Sequence, residues 1–174
     1  HTLLSAPGRT DVDVQLKILQ IVSSLLVTYA NVTSELLPRA LRLCFTLYEH
    51  SRVVVVSSTA AAMLRQNVMV VFEKVHGEDQ SFDAIQNEDA AVNAPLPVGT
   101  AELPSGPVTL FPCAADVYHL LNDLCALADG QPAHFLPLDT LSKPFVLELL
   151  ESVLTTQSSL FQRHPELVYI LRSA

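Results

Sequence analysis

The sequence predicts an all-α chain: an armadillo/HEAT-like right-handed α-solenoid of stacked antiparallel helices, interrupted by a long disordered loop. Three observations carry this expectation. Apolar residues recur at helical spacing in segments joined by short turns, and each segment is apolar over more than half its girth. The locally strand-like run Val53-Val54-Val55-Val56 has no partner strand in view. Between about residues 88 and 109 all periodicity gives way to a stretch rich in Pro, a composition that favours disorder in a loop of this length. No internal sequence repeat is visible, so the solenoid is a topological inference. A compact multi-helix bundle is its alternative.

Residues 1–10 carry Pro7 and Gly8 and read as a frayed lead-in. Asp11 or Asp13 can cap a helix running to about residue 30. Asp13, Lys17, Gln20, Ser24 and Thr28 form its narrow polar stripe, and the remaining girth is apolar, which predicts a mostly buried layer. Thr33 or Ser34 then caps a second helix, over about residues 35–49, with Pro38 in its first turn, where a missing N–H does little harm. Its expected core face is Leu37, Leu41, Cys44, Phe45, Leu47 and Tyr48.

Residues 57–75 form the segment around which the others are arranged. Ala60, Ala61, Leu64, Val68, Val71 and Val75 fall within about a quarter turn of one another. Met63 with Val70, and Met69 with Phe72, make further apolar strips, so this helix is expected to be central and covered on several sides. The small side chains of Ala60-Ala61-Ala62 let a neighbour approach closely. Val53-Val54-Val55-Val56 reads as its first turn, and His76-Gly77 as its stop, with a helical extension to about residue 86 as the alternative.

Order is expected to return at Phe111-Pro112. Val117, Leu120, Leu121, Leu124, Leu127 and Ala128 mark one face of the next helix, and Asp116, His119, Asn122 and Asp123 the other. Gly130 and Pro132 end it. Residues 135–141 form an apolar connector. Ser142 caps a helix with Pro144 in its first turn and an apolar face extending from Phe145 to Phe161. His164-Pro165 breaks the pattern before a final helix.

The composition excludes several classes of function. A net charge of −8 argues against nucleic acid, whose phosphates demand clustered Lys and Arg, and against a polybasic membrane patch. No run of 18 or more consecutive apolar residues appears, so no transmembrane segment is expected. Cys44, Cys113 and Cys125 are too few and too dispersed for a disulfide framework, which suits a reducing cytosolic setting. The sequon Asn31-Val32-Thr33 would matter only in a secreted chain.

Candidate chemistry is sparse. Cys113, His119 and Cys125 lie six apart on one helix, and six residues advance about 240°, so they point apart and make a poor metal set. Asp116 and His119 are i, i+3 and can touch, which keeps a small hydrolase or transferase as an alternative reading. No Gly-x-Ser-x-Gly turn or Gly-rich phosphate loop accompanies them. No enzyme activity, metal or cofactor is therefore expected. Arg65, Gln66 and Lys74 are the candidate partner surface on the central helix; Ala60, Ala61, Leu64, Val68, Val71 and Val75 are its packing residues.

Several spaced segments resemble a known family. Val14-Gln15-Leu16-Lys17-Ile18-Leu19-Gln20, Ser58-Thr59-Ala60-Ala61-Ala62-Met63-Leu64-Arg65-Gln66 and Val71-Phe72-Glu73-Lys74-Val75 look like the N-terminal DCB (dimerisation and cyclophilin-binding) domain of the large Arf guanine-nucleotide-exchange factors and their relatives. Leu147-Glu148-Leu149-Leu150-Glu151-Ser152-Val153-Leu154 and His164-Pro165-Glu166 are most similar to the monensin-sensitivity (Mon-two type) branch, which lacks the catalytic exchange domain. Ser58 and Met63 depart from the pattern, where Asn and Thr are expected. The resemblance implies that residues 1–174 are a single helical DCB-like domain fragment with the flexible loop at about 88–109. It implies a non-catalytic interaction module of a Golgi and endosome trafficking scaffold, cytoplasmic and peripheral on trans-Golgi or endosomal membranes. The implied partners are proteins: a second copy in a homodimer, the neighbouring HUS region and, as in the exchange factors, an Arf-like GTPase. A purely structural solenoid spacer is the remaining alternative.

Overall fold

The computed structural model describes residues 9–29, 32, 35–87 and 95–173. Helices α1 (Arg9–Thr28), α2 (Leu36–His50) and α3 (Val54–Asn87) come first. A hairpin of β1 (Gly99–Leu103) and β2 (Gly106–Leu110) follows. Helices α4 (Pro112–Ala128), α5 (Lys143–Thr156), α6 (Ser158–Arg163) and α7 (Pro165–Ser173) complete the chain. The architecture is all-α, as predicted, apart from this one small sheet among the described residues. The expected lead-in, the Thr33 or Ser34 cap, the sequon and the stretch 88–94 lie wholly or partly outside the described residues.

Helix α3 is the centre. It packs against α1 and α2 on the N-terminal side and against α4 and α5 on the C-terminal side, and α4 in turn packs on α5 and α7. All six expected packing residues are buried: Ala60, Ala61, Leu64, Val68, Val71 and Val75. Leu19, Val22 and Leu26 of α1, Leu37, Leu41 and Phe45 of α2, Leu120, Leu121 and Leu124 of α4 and Val146, Leu149 and Val153 of α5 join them in one continuous apolar cluster. Removing this apolar area from water is the main stabilising term of the fold. By length and composition alone, α3 is long and apolar enough to cross a membrane, although polar residues interrupt it and it holds no uninterrupted run of 18 apolar residues. Its apolar stripe is spent on the other helices.

Helix ends follow local chemistry. Pro112 and Pro144 sit in the first turns of α4 and α5. Gly130 adopts φ 74°. The Gln131 N–H then donates to the Ala126 carbonyl at 2.8 Å, and the Gly130 N–H to that of Leu127 at 3.1 Å. This paired closure of α4 needs a left-handed residue, hence glycine. The side chain of Ser142 makes no capping bond, contrary to expectation; its carbonyl instead accepts from Phe145 and Val146 at 3.0 Å.

Four further expectations are corrected. Helix α3 runs through Gly77 to Asn87, matching the alternative of an extension to about residue 86 rather than a stop at His76-Gly77. The helix after Ser142 breaks at Gln157, which is buried, into α5 and α6. Helix α1 is less covered than its sequence suggested, since Val14, Ile21, Leu25 and Val27 are exposed: no described helix packs on its outer face. The disordered loop is, over residues 99–110, an antiparallel hairpin in the register Gly99 with Leu110 and Leu103 with Gly106. Ala101 and Leu110 pack on Ala115 of α4, with Leu103 and Tyr118 beside them. Docking on α4 is what orders a hairpin too short to stand alone.

Candidate interaction site between the two halves

From His76 to Asp83, α3 carries one large apolar side chain, Phe82, yet it stays helical across Gly77, where glycine costs about 1 kcal/mol relative to alanine. Polar contacts on two sides account for this. Glu78 faces the start of α4. Its Oε1 accepts the backbone N–H of Cys113 and its Oε2 that of Ala114, both at 3.0 Å. Phe111, the residue before α4, offers no side-chain cap. A carboxylate from another helix therefore satisfies two orphan donors and faces the positive end of the α4 dipole.

His76, Asp79 and Asp83 project from a different face, toward the corner where α5, α6 and α7 meet. His76 Nε2 lies 3.0 Å from Gln157 Oε1. Asp79 Oδ2 lies 3.3 Å from His164 Nε2 and 3.6 Å from Arg163 Nε. Arg163 Nη2 reaches Asp83 Oδ2 at 3.1 Å. His164 Nδ1 lies 2.7 Å from Oε1 of the buried Glu166. Burial pulls the His164 pKa down, but its hydrogen bonds and charge contacts with Glu166 and Asp79 outweigh that and hold it above the ordinary value near 6.5. The aromatic pair Phe82 and Phe111, with centroids 4.2 Å apart, adds an apolar contact.

Arg65 and Lys74 of the expected partner surface are engaged within the chain. Arg65 makes a forked pair with Glu148 of α5, at 2.6 and 2.8 Å, and its guanidinium lies 5.1 Å from the centroid of the Phe145 ring. The fork raises the pKa of Arg65 and lowers that of Glu148. Lys74 Nζ donates to the carbonyls of Tyr29 at 3.0 Å and Val32 at 3.4 Å, closing the end of α1. Burial lowers the Lys74 pKa, with Cys113 and Asp116 pulling the other way. Gln66 is exposed. The exposed side of α1 is lined by a shallow cleft of about 520 Å³ among Lys17, Gln20, Ile21, Ser24, Leu25, Thr28 and Tyr29.

Asp116 and His119 do share a cavity wall. They line a space of about 620 Å³ together with Glu35, Thr100, His134 and Phe135. His119 sits between two rings, stacked on Phe135 and edge-on to Tyr118, each at 5.6 Å. Asp116 and Asp123 are buried, against the expected exposed polar face. Asp123 organises the connector after α4 by accepting the N–H groups of His134 and Leu136. Among the described residues no group of three or more His, Cys, Asp or Glu side chains is placed to hold a metal ion. The sequence reading missed Glu78, Asp79, Asp83 and Arg163, because their charges pair across about 35 to 85 positions of chain.

Two family models match the chain, and they divide it at the stretch before α4. The model described as Mon2/Sec7/BIG1-like, dimerisation and cyclophilin-binding domain (DCB), matches residues 2–79. The Mon2/Sec7/BIG1-like HUS domain matches residues 113–174. The chain belongs to the Mon2/Sec7/BIG1-like family. Among curated proteins it is similar to the Protein MON2 homolog of Xenopus laevis, 38% identical over 159 residues. The human Protein MON2 homolog is 37% identical over 159 residues, and Monensin-resistant homolog 2 of Caenorhabditis elegans 37% over 160. Each alignment covers 91% of this chain and 9% of the relative, so the chain spans under a tenth of the length of these proteins. No solved structure matches it. His76, Glu78 and Asp79 thus fall within the DCB match, and Cys113, Ala114, Gln157, Arg163 and His164 within the HUS match.

Proposed function

We propose that the chain is a non-catalytic interaction module of a Golgi and endosome membrane-trafficking scaffold, cytoplasmic and peripheral on those membranes. Its DCB and HUS segments dock into one body through the end of α3, and the outer face of α1 is left for self-association. The observation that carries this reading is the double grip on residues 76–83, by the α4 N-terminus and by the α5–α6–α7 corner. The family match supports it through its description as a dimerisation domain. The layered contacts of α3 with helices on both sides fit the solenoid arrangement.

Self-association is tested by light scattering across a concentration series, with wild type against Ile21→Asp. Ile21 is 58% exposed, so the substitution leaves the core intact and is expected to hold the chain monomeric where wild type dimerises. A wild type that stays monomeric at the highest concentration removes this part of the proposal. An Arf-like GTPase is the further partner. Pull-down with GTP-loaded and GDP-loaded Arf-family GTPases tests it, GTP-selective capture being expected, and no binding to either form ends that claim. Gln66, exposed on α3, is the residue of the Arg65, Gln66 and Lys74 set to substitute first. The cavity shared by Asp116 and His119 favours the small-hydrolase alternative to that extent only. Ring contacts already explain the position of His119.

A further inference from the structure

His164 occupies the junction of α6 and α7 with both ring nitrogens facing carboxylates: Nδ1 toward Glu166 at 2.7 Å and Nε2 toward Asp79 at 3.3 Å. A neutral imidazole carries one N–H and one lone pair, so it can donate to only one of them. The other nitrogen would then turn its lone pair on a carboxylate oxygen. Only the imidazolium donates to both. The surroundings reinforce the demand for charge. Glu166 is 2% exposed, and its Oε2 has no hydrogen-bond partner among the described residues. Among the described residues, the charged groups that face this cluster are Asp79 and Asp83 from α3, Arg163 from α6 and Glu166 from α7. Asp79 and Glu166 meet at the two sides of the ring, and the imidazolium is the cation that lets both carboxylates sit there.

We propose that this cluster is a proton-dependent latch between the two halves of the chain: imidazolium His164 locks the end of α3 to the α6–α7 corner, and loss of its proton releases that lock. The inference rests on reading the joint as the docking seam. It adds that the strength of the seam is set by proton concentration. The direction follows from linkage. The His164 pKa is higher in the folded chain than the ordinary 6.5, so the latch is fully engaged below pH 6.5 and weakens as pH rises through the higher folded value. The cap that Glu78 of α3 places on α4 and the apolar core are untouched by this change. The latch therefore loosens the α3 end and the α6–α7 corner without unfolding the chain.

Two measurements on the whole chain test the latch. Nitrogen NMR of the histidine side chains from pH 6 to pH 9 reads the protonation of His164 directly. Both of its ring nitrogens are expected in the imidazolium range at pH 6.5, with a single titration above it. A neutral single tautomer already present at pH 6.5 overturns the proposal. Amide hydrogen exchange, corrected for the intrinsic pH dependence of exchange, reads the joint over residues 76–83 and 158–170. Protection is expected to fall severalfold across the same titration in wild type, and to stay level with pH in His164→Gln. Protection that is high and independent of pH in wild type overturns the latch and leaves the docking reading standing. Protection absent at every pH sinks both. The NMR titration needs no variant, so the inference remains testable if His164→Gln folds poorly.

Discussion

Glu78 of α3 caps α4, with one carboxylate oxygen on the Cys113 N–H and the other on that of Ala114. A helix start is usually capped from the residue just before it. Here the cap comes from 35 residues away, from the other family segment. Glu78→Ala removes both acceptors and the charge at the helix dipole, and is expected to lower stability by about 1–2 kcal/mol. Glu78→Gln keeps one acceptor and should cost less. Urea denaturation followed by circular dichroism checks the order of wild type, Gln and Ala. An Ala variant as stable as wild type would show that water caps α4 equally well.

The small residues of α3 make a second test. Ala60 is fully buried and Ala61 nearly so, and both belong to the central cluster. Replacing either by Leu inserts three carbons where helices already touch, and is expected to destabilise by about 1–3 kcal/mol. Ala60→Leu should be the worse of the two. A thermal midpoint unchanged in both variants would place these alanines away from any helix contact.

Much of this fold was legible because its signal is local. The stripe from Ala60 to Val75 and the face from Val117 to Leu127 are periodic within one helix, and the structure buries both. The hairpin was missed for the opposite reason. Its alternation of Ala101 and Leu103 with Thr100 and Glu102 spans a few residues between prolines, and the face it docks on, Ala115 and Tyr118, lies on α4. The continuation of α3 through Gly77 was only the alternative reading, because what holds it is distant: Gln157, Arg163 and His164. Periodicity reports which face a helix buries. It does not report which charges meet across the chain, and the candidate joint is made of such charges.

The thiols give a third test. Burial pushes the Cys44 thiol up to about 11, against a weaker opposing bond from Asn67. Burial also pushes Cys113 up to about 12, with the charges of Glu78 and Asp116 adding to it, and raises Cys125. The thiolate is the reacting species, so at pH 7.5 Cys44 and Cys113 should alkylate at least a hundredfold more slowly in the native chain than in urea, and Cys125 more slowly as well. Mass spectrometry after iodoacetamide treatment reads this per residue. Because Glu78 contributes to the Cys113 shift, Glu78→Gln is expected to speed labelling at Cys113 while leaving Cys44 unchanged. Equal native and denatured rates at Cys113 would contradict its placement against α3.

Asn67 is the polar residue most at odds with its position. It is fully buried in α3, its amide nitrogen reaches only the sulfur of Cys44 at 3.9 Å, and its carbonyl oxygen has no partner among the described residues. Sulfur is a weak acceptor, so little offsets the desolvation of the amide. An unsatisfied buried polar group costs about 1–3 kcal/mol. Leucine branches at the same carbon as asparagine and has no polar atom to strand. Asn67→Leu is therefore expected to be neutral or stabilising by up to about 2 kcal/mol, in a core where Ala60→Leu is destabilising. The contrast separates polarity from volume, since both variants carry leucine on the same helix. If Asn67→Leu instead lowers the urea midpoint as far as Ala60→Leu does, overpacking outweighs the removal of the amide. The site is then better described as tightly filled than as electrostatically strained.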